Sequence, residues 1–384
     1  MNRRLAASIV VAPTVVFGLV LGIALPACID PVPDAPPHDE WDDKLADRVV
    51  DYSAALRIAA LRLTGELPTL AELEAVAGAP DTTRRAAYEA QVDGYLGGPR
   101  FARQMFRFWQ DTLKLGDAPE LDSAPAFVTR LVVDDRSFLD ALTATGGTCP
   151  GFDPATGRFT PGECGNAPVT VGLLTHPGMN RQFFSNFGFR RVRWVQETFA
   201  CTAFPAEIST VATDVGGAMP YTGVFPFTSI AGAATGGRVD FRNTSSVICA
   251  NCHSSINHIA PLFAHFDDGG MYHDALVVPT PLPDAPPARL GDYVPAGEPL
   301  AWRSGTPVAD MTGLGAAMAA DPEVSACVIA RLWNWALGKS DIVDGSMRVP
   351  AATIEAQVAA FEAGGHRIRG ALRGIFTSDD FVRF

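Results

Sequence analysis

The pentapeptide Cys249-Ala250-Asn251-Cys252-His253 constrains this chain more than any other stretch, because it sets two thiols and an imidazole within five residues. In an exported protein, Cys-x-x-Cys-His is the attachment sequence of c-type haem. Two intervening residues let both sulfurs reach one porphyrin edge, and the adjoining histidine is turned under the ring as the proximal iron ligand. The same spacing has two other readings, a structural or redox disulfide and half of a zinc site. Zinc asks for a second ligand pair, and the sequence holds no other Cys-x-x-Cys and no paired His/Cys cluster.

Export is read from the other end of the chain. Arg3 and Arg4 precede an uncharged stretch from Leu5 to Ala27, which closes on Leu25-Pro26-Ala27-Cys28. A basic start, an apolar middle and a small residue at the end make residues 1–27 a signal peptide. A cysteine directly after the small residue resembles a bacterial lipobox, so Cys28 is the expected lipidated first residue of the mature protein, although Pro26 is unusual there. The competing reading is an uncleaved membrane anchor, which Pro13 weakens. Either route leaves the body of the chain outside the cytoplasm. Residues 28–43, with Pro31, Pro33, Pro36 and Pro37, read as an extended, lipid-anchored tether.

The remaining chain is long enough for real cores: 384 residues in all, 47% of them hydrophobic, suit two or three units. A net charge of −12 argues against a nucleic-acid partner. Apolar spacing predicts a mainly α protein with an irregular, loop-rich haem-motif segment in the middle. Residues 44–120 read as an N-terminal helical domain, 121–299 as a central helical and loop-rich domain, and 300–384 as a C-terminal helical domain. Helices are expected over 46–63, from Thr69 as N-cap with Glu72 as its reciprocal partner, over 84–96, over 101–115 and over 125–142. The aromatics Phe101, Phe108 and Trp109 read as core. A Gly-rich, irregular stretch from Thr213 to Arg238 leads into the pentapeptide. Beyond it, Cys327 to Leu337 reads as a helix ended by Gly338, with two more helices over 351–362 and 368–376.

Several segments resemble one family. Leu63-Thr64-Gly65-Glu66-Leu67-Pro68-Thr69, then Phe108-Trp109-Gln110-Asp111, then Cys252-His253-Ser254-Ser255-Ile256 with Phe266-Asp267-Asp268-Gly269-Gly270 are similar to the uncharacterised, cytochrome-linked exported proteins of planctomycetes and myxobacteria. The resemblance implies a helical fold and haem rather than a substrate. It departs at Asn257-His258, where the family has Asp-Pro, at Ala260 for Gly and at Ala264 for Glu. Asp267 reads as a turn or capping residue. Arg190, Arg191 and Arg193 can face haem propionates, or be solvated or paired with carboxylates.

The thiols left over are four. Cys149 and Cys164 flank a Gly/Pro/Thr-rich loop and read as a disulfide worth about 3 kcal/mol in the chain-entropy picture, since no histidine or second thiol accompanies them locally. Cys201 and Cys327 then form a second bridge, worth about 4–5 kcal/mol, or are two ordinary buried cysteines. Candidate distal iron ligands are His258, His265, Met271, His273 and Met311. The expected function is an exported lipoprotein holding one haem c and passing electrons to a redox partner protein, anchored in the periplasm or outer membrane. The alternatives are a haem-free structural or binding module with the Cys-x-x-Cys pair oxidised, and a haem peroxidase-like enzyme if the sixth iron position is open. No catalytic residue is read from the sequence.

Overall fold

The computed structural model describes residues 40–116, 118–184, 186–204, 241–242, 252–253, 255–276, 289–294, 297–303, 305–342 and 347–384. The signal peptide, Cys28, most of the tether, the Gly-rich stretch and Cys249 lie outside the described residues. The chain up to Arg48 and the chain from Val49 to Phe384 are separate compact units, and helix α1 (Glu40–Ala46) belongs to the first.

The second unit is built of helices whose ends are written locally. Asp51 caps α2 (Tyr52–Thr64) by accepting the Ser53 and Ala54 amides at 2.9 Å, and Gly65, at φ 78°, stops it in the left-handed region that glycine tolerates. Thr69 opens α3 (Leu70–Ala77) in a reciprocal capping box with Glu72, as the sequence spacing predicts. Helix α4 (Asp81–Gly97) is followed at once by α5 (Pro99–Leu113), with Pro99 at its first position. Helix α6 spans Pro119–Val133, starting and stopping earlier than the expected 125–142. Pro119 supplies the start, Pro125 is carried inside the helix, and the left-handed Asp135 (φ 52°) follows its end.

The segment between the helical runs is irregular. Short α7 (Asp140–Thr143) precedes a hairpin of β1 (Gly151–Asp153) and β2 (Arg158–Thr160), paired antiparallel with Phe152 opposite Phe159. Helices α8 (Pro177–Gln182) and α9 (Phe189–Phe199) come next, then the one-turn α10 (Ala260–Phe263). A two-residue ladder joins β3 (Ala301–Trp302) to β4 (Thr306–Pro307). The chain closes with α11 (Met311–Ala319), α12 (Pro322–Ala336), α13 (Ala351–Ala363), α14 (Ile368–Phe376) and α15 (Asp379–Val382).

One buried cluster runs continuously from Ala55 to Val382, so the segments divided at 120 and 299 share a core. Leu56, Leu63, Val92 and Trp109 of the N-terminal helices pack in it with Leu332, Leu372 and Phe376 of the last ones. Each such side chain contributes about 1.5–3 kcal/mol by leaving water. Polar seams follow the same interface: Tyr88 donates to the Phe376 carbonyl at 2.6 Å, and Arg373 pairs with Asp93 at 2.7 Å. Val49 and Phe384 exchange both backbone hydrogen bonds at 2.9 Å, which fastens the two ends of the unit together.

Both expected bridges are present, Cys149 to Cys164 and Cys201 to Cys327, with Cα atoms 5.1 and 5.4 Å apart. The second ties the end of α9 to α12, where the buried Arg331 also donates to the Glu197 carbonyl at 2.8 Å.

Candidate functional site

Cys252, His253, Ser255 and Ile256 lie on a helical turn that docks against α9 and the loop before it. Buried Ser255 donates to Oε1 of buried Gln196 at 3.1 Å, which joins the turn to α9. Phe189 meets the His253 ring edge-on at 4.7 Å between centroids, and Phe241 lies nearly parallel to it at 6.0 Å. Tyr293 packs on both phenylalanines and donates its hydroxyl to the Phe187 carbonyl at 3.2 Å. The imidazole is therefore walled by aromatic rings on the protein side.

The proton on that imidazole is assigned by its partners. His253 Nδ1 lies 2.7 Å from Asn257 Oδ1, four residues on. The amide of Asn257 cannot be turned around, because its Nδ2 donates to the Phe241 carbonyl at 2.7 Å. Oδ1 is thus the acceptor and Nδ1–H the donor, which leaves the lone pair on Nε2. Burial lowers the His253 pKa, against a smaller opposing effect of the Asn257 bond, so the ring is neutral at neutral pH. A neutral imidazole whose Nδ1–H is fixed by a carbonyl-type oxygen is the form that binds a metal through Nε2. Cys252, one residue before it, is half-buried; burial raises its pKa while nearby Arg193 works in the other direction. His253 Nε2 and Cys252 Sγ are the groups of this turn that could hold a metal or a covalently attached cofactor.

The segment after the turn is locked by Arg191 rather than by a carboxylate. Arg191 is fully buried and its guanidinium donates to the carbonyls of Asn180 (2.8 Å), Phe263 (2.8 Å), Phe266 (2.7 Å) and Asp267 (2.6 Å). Burial pushes its pKa down to about 10, so the cation persists at neutral pH. The propionate role considered for Arg191 is thereby corrected: its donors are spent on backbone. Arg193 pairs with Glu197 at 2.7 Å and lies over the Phe204 ring, while Arg190 lies over Phe183. Gly188, at φ 78°, lets α10 approach, since a Cβ there would stand 2.8 Å from the Ala260 carbonyl oxygen.

Asp267 is a turn residue, as its sequence context suggests. Its Oδ1 accepts the Gly269 and Met271 amides at 2.9 and 2.8 Å, and Oδ2 pairs with His273 Nε2 at 2.8 Å. Burial opposes ionisation, but the His273 bond and the two amides outweigh it and hold the carboxyl below its ordinary range.

The five candidate distal ligands are held by other partners or face elsewhere. His258 Nε2 meets Glu298 at 3.3 Å, His265 Nδ1 lies 2.9 Å from the His273 carbonyl and stacks on Tyr272, and His273 holds Asp267. Met271 is exposed at the surface, and Met311 lines a cavity of about 270 Å³ with His265, Tyr272 and Leu262. Among the described residues, none of these five meets His253 in a hydrogen bond or ring contact.

Two residues escaped the sequence reading. Asn257 was noted only as a departure from Asp-Pro, although its i+4 spacing from His253 on a helical turn puts the two side chains on one face. His176 is distant in sequence from the first disulfide, yet its Nε2 lies 3.3 Å from Cys149 Sγ. The expectation that no histidine accompanies that pair holds for the local sequence and fails in space; only the folded chain brings the group there.

No curated protein and no solved structure matches the chain. Residues 43–130, within the N-terminal helical run from α1 to α6, match a family described as PSCyt2, a protein of unknown function (DUF1549).

Proposed function

We propose that this chain is an exported lipoprotein that holds one haem c through Cys249, Cys252 and His253 and passes electrons to a redox partner protein outside the cytoplasm. The observation that carries this reading is the His253–Asn257–Phe241 chain of hydrogen bonds, which puts the imidazole's proton on Nδ1 and its lone pair on Nε2. When bound, the group supplies one-electron chemistry between ferric and ferrous iron. The protein's part is orientation and exclusion: Asn257 sets the ring's tautomer and angle, and Phe189, Phe241 and Tyr293 keep water from one side of it. Cys28 carries the lipid in this account, and the proline-rich tether sets the reach from the membrane.

The test is expression of the full chain beside a c-type cytochrome maturation system, followed by a denaturing gel stained for haem. A haem band at the mass of the chain is expected for wild type and is expected to vanish when Cys249 and Cys252 are both changed to Ser. Wild type without a haem band refutes the reading.

The placement of His258, His265, Met271, His273 and Met311 favours a second reading, in which none of the five reaches the iron and the sixth position takes a small molecule such as peroxide. Titration of the ferric protein with cyanide separates the two. A rapid spectral change supports an open position, and an inert spectrum supports electron transfer with a protein ligand.

A further inference from the structure

His176 caps α8, and its Nδ1 accepts the Gly178 amide at 3.0 Å. The ring proton therefore sits on Nε2, the reverse of His253. Full burial drives the His176 pKa down to about 3, so the imidazole stays neutral and singly protonated. Its Nε2–H is aimed between two acceptors, Cys149 Sγ and Ser123 Oγ, each 3.3 Å away. On the other side of the bridge, Thr148 Oγ1 lies 3.2 Å from Cys164 Sγ.

The donor atoms of Cys149, Cys164 and His176 all lie within 4.8 Å of one another, the compactness of a metal site. The proton on Nε2 argues against a metal. Freeing that lone pair would move the proton to Nδ1 and point it at the Gly178 N–H. What the arrangement offers is an N–H donor trained on a sulfur.

We propose that Cys149–Cys164 is an exchangeable disulfide, opened by an external dithiol and closed again by the disulfide form of the same couple, with His176 Nε2–H stabilising the departing Cys149 thiolate. Cys164 is the sulfur attacked, because it is flanked by exposed Glu163 and Gly165, whereas Cys149 stands between buried Thr148 and Pro150. Glu163 itself is turned away to the Gly147 amide, which meets its two oxygens at 2.8 and 2.9 Å. One thiolate of the dithiol bonds to Cys164 Sγ; the bond to Cys149 breaks and its electron pair leaves on Cys149, which takes the His176 hydrogen bond. The second thiol, losing its proton to solvent, then attacks its own partner in the mixed disulfide. The dithiol ends as a disulfide, Cys164 leaves as a thiolate that takes up a proton, and two electrons have passed to the bridge. Exchange is faster when the leaving thiol is more acidic, and the N–H contact makes Cys149 that thiol.

The experiment uses the full-length chain, dithiothreitol as the dithiol probe, and timed alkylation with peptide mapping. His176→Asn keeps an oxygen for the Gly178 amide but removes the donor to Cys149. Opening of Cys149–Cys164 is expected to slow about tenfold in this variant, the scale of one hydrogen bond to a charged group, while Cys201–Cys327 is unchanged. An unchanged rate overturns the proposal. A second measurement needs no variant: in the reduced wild type, the pH dependence of alkylation should give Cys149 a pKa below the ordinary thiol value of about 8.5. A value at or above it overturns the proposal as well.

Discussion

Half-buried His253 and fully buried His176 are both neutral, yet they present opposite nitrogens because their neighbours differ. A backbone amide at Nδ1 makes His176 a donor through Nε2, and a side-chain carbonyl at Nδ1 leaves His253 with its lone pair on Nε2. Asn257 is thus a positioning residue, and its variants should move the potential of the loaded protein in opposite senses. Asn257→Leu removes the acceptor, weakens electron donation from the ring and should raise the potential; Asn257→Asp strengthens the acceptor and should lower it. Protein-film voltammetry reads both shifts, and two shifts of the same sign would contradict the assignment. For His176 the consequence is pH-dependent stability. The unfolded chain binds a proton near pH 6.5 and the folded chain only near 3, so stability is full above 6.5 and falls as the pH drops between those values. At pH 4.5 this costs wild type about 2–3 kcal/mol. Urea unfolding at pH 7 and 4.5 should show that extra loss in wild type and not in His176→Asn. The pentapeptide marks His253 as the expected iron ligand and nothing local marks His176; which nitrogen each ring presents was not legible, since it depends on a partner whose orientation is fixed only by the folded backbone.

At the level of elements, the local signals were readable and the long-range ones were not. The Thr69–Glu72 capping box and the stop at Gly338 follow from side chains within a few residues of the helix ends. Helix α6 was misplaced because Pro125 reads as a start, whereas Pro119 already supplies one and the helix carries the second proline inside it. The Arg191 clamp had no local signature, as its four carbonyls come from α8 and from the segment after the Cys-x-x-Cys-His pentapeptide. It makes the Phe266–Gly270 signature an architectural feature, a turn held by a cation from α9. Arg191→Lys keeps the charge but not the fork, and should cost about 2–3 kcal/mol; Arg191→Met strands several carbonyls and should cost about 4 kcal/mol or more. Equal denaturant midpoints for wild type and Arg191→Met would remove the clamp from the account.

At the scale of the molecule, the unit from Val49 to Phe384 is a single core with its ends paired, Val49 against Phe384. The sequence divides it into three because a Gly- and Pro-rich middle interrupts the helical periodicity. Within the described residues Ser255 joins the turn that carries His253 to α9, and the Cys201–Cys327 bridge ties α9 to α12. The loop they flank made Cys149 and Cys164 legible as a pair, whereas Cys201 and Cys327 stood open between a bridge and two buried cysteines, and the fold decides for the bridge. The central claim, one haem held by Cys249, Cys252 and His253, is tested most directly by the intact mass of the purified chain after maturation and acid-acetone extraction. The account predicts a species heavier than the lipidated, disulfide-bonded chain by the mass of one haem, which extraction does not remove. A chain carrying only its lipid, with Cys249 and Cys252 joined to each other, would contradict it.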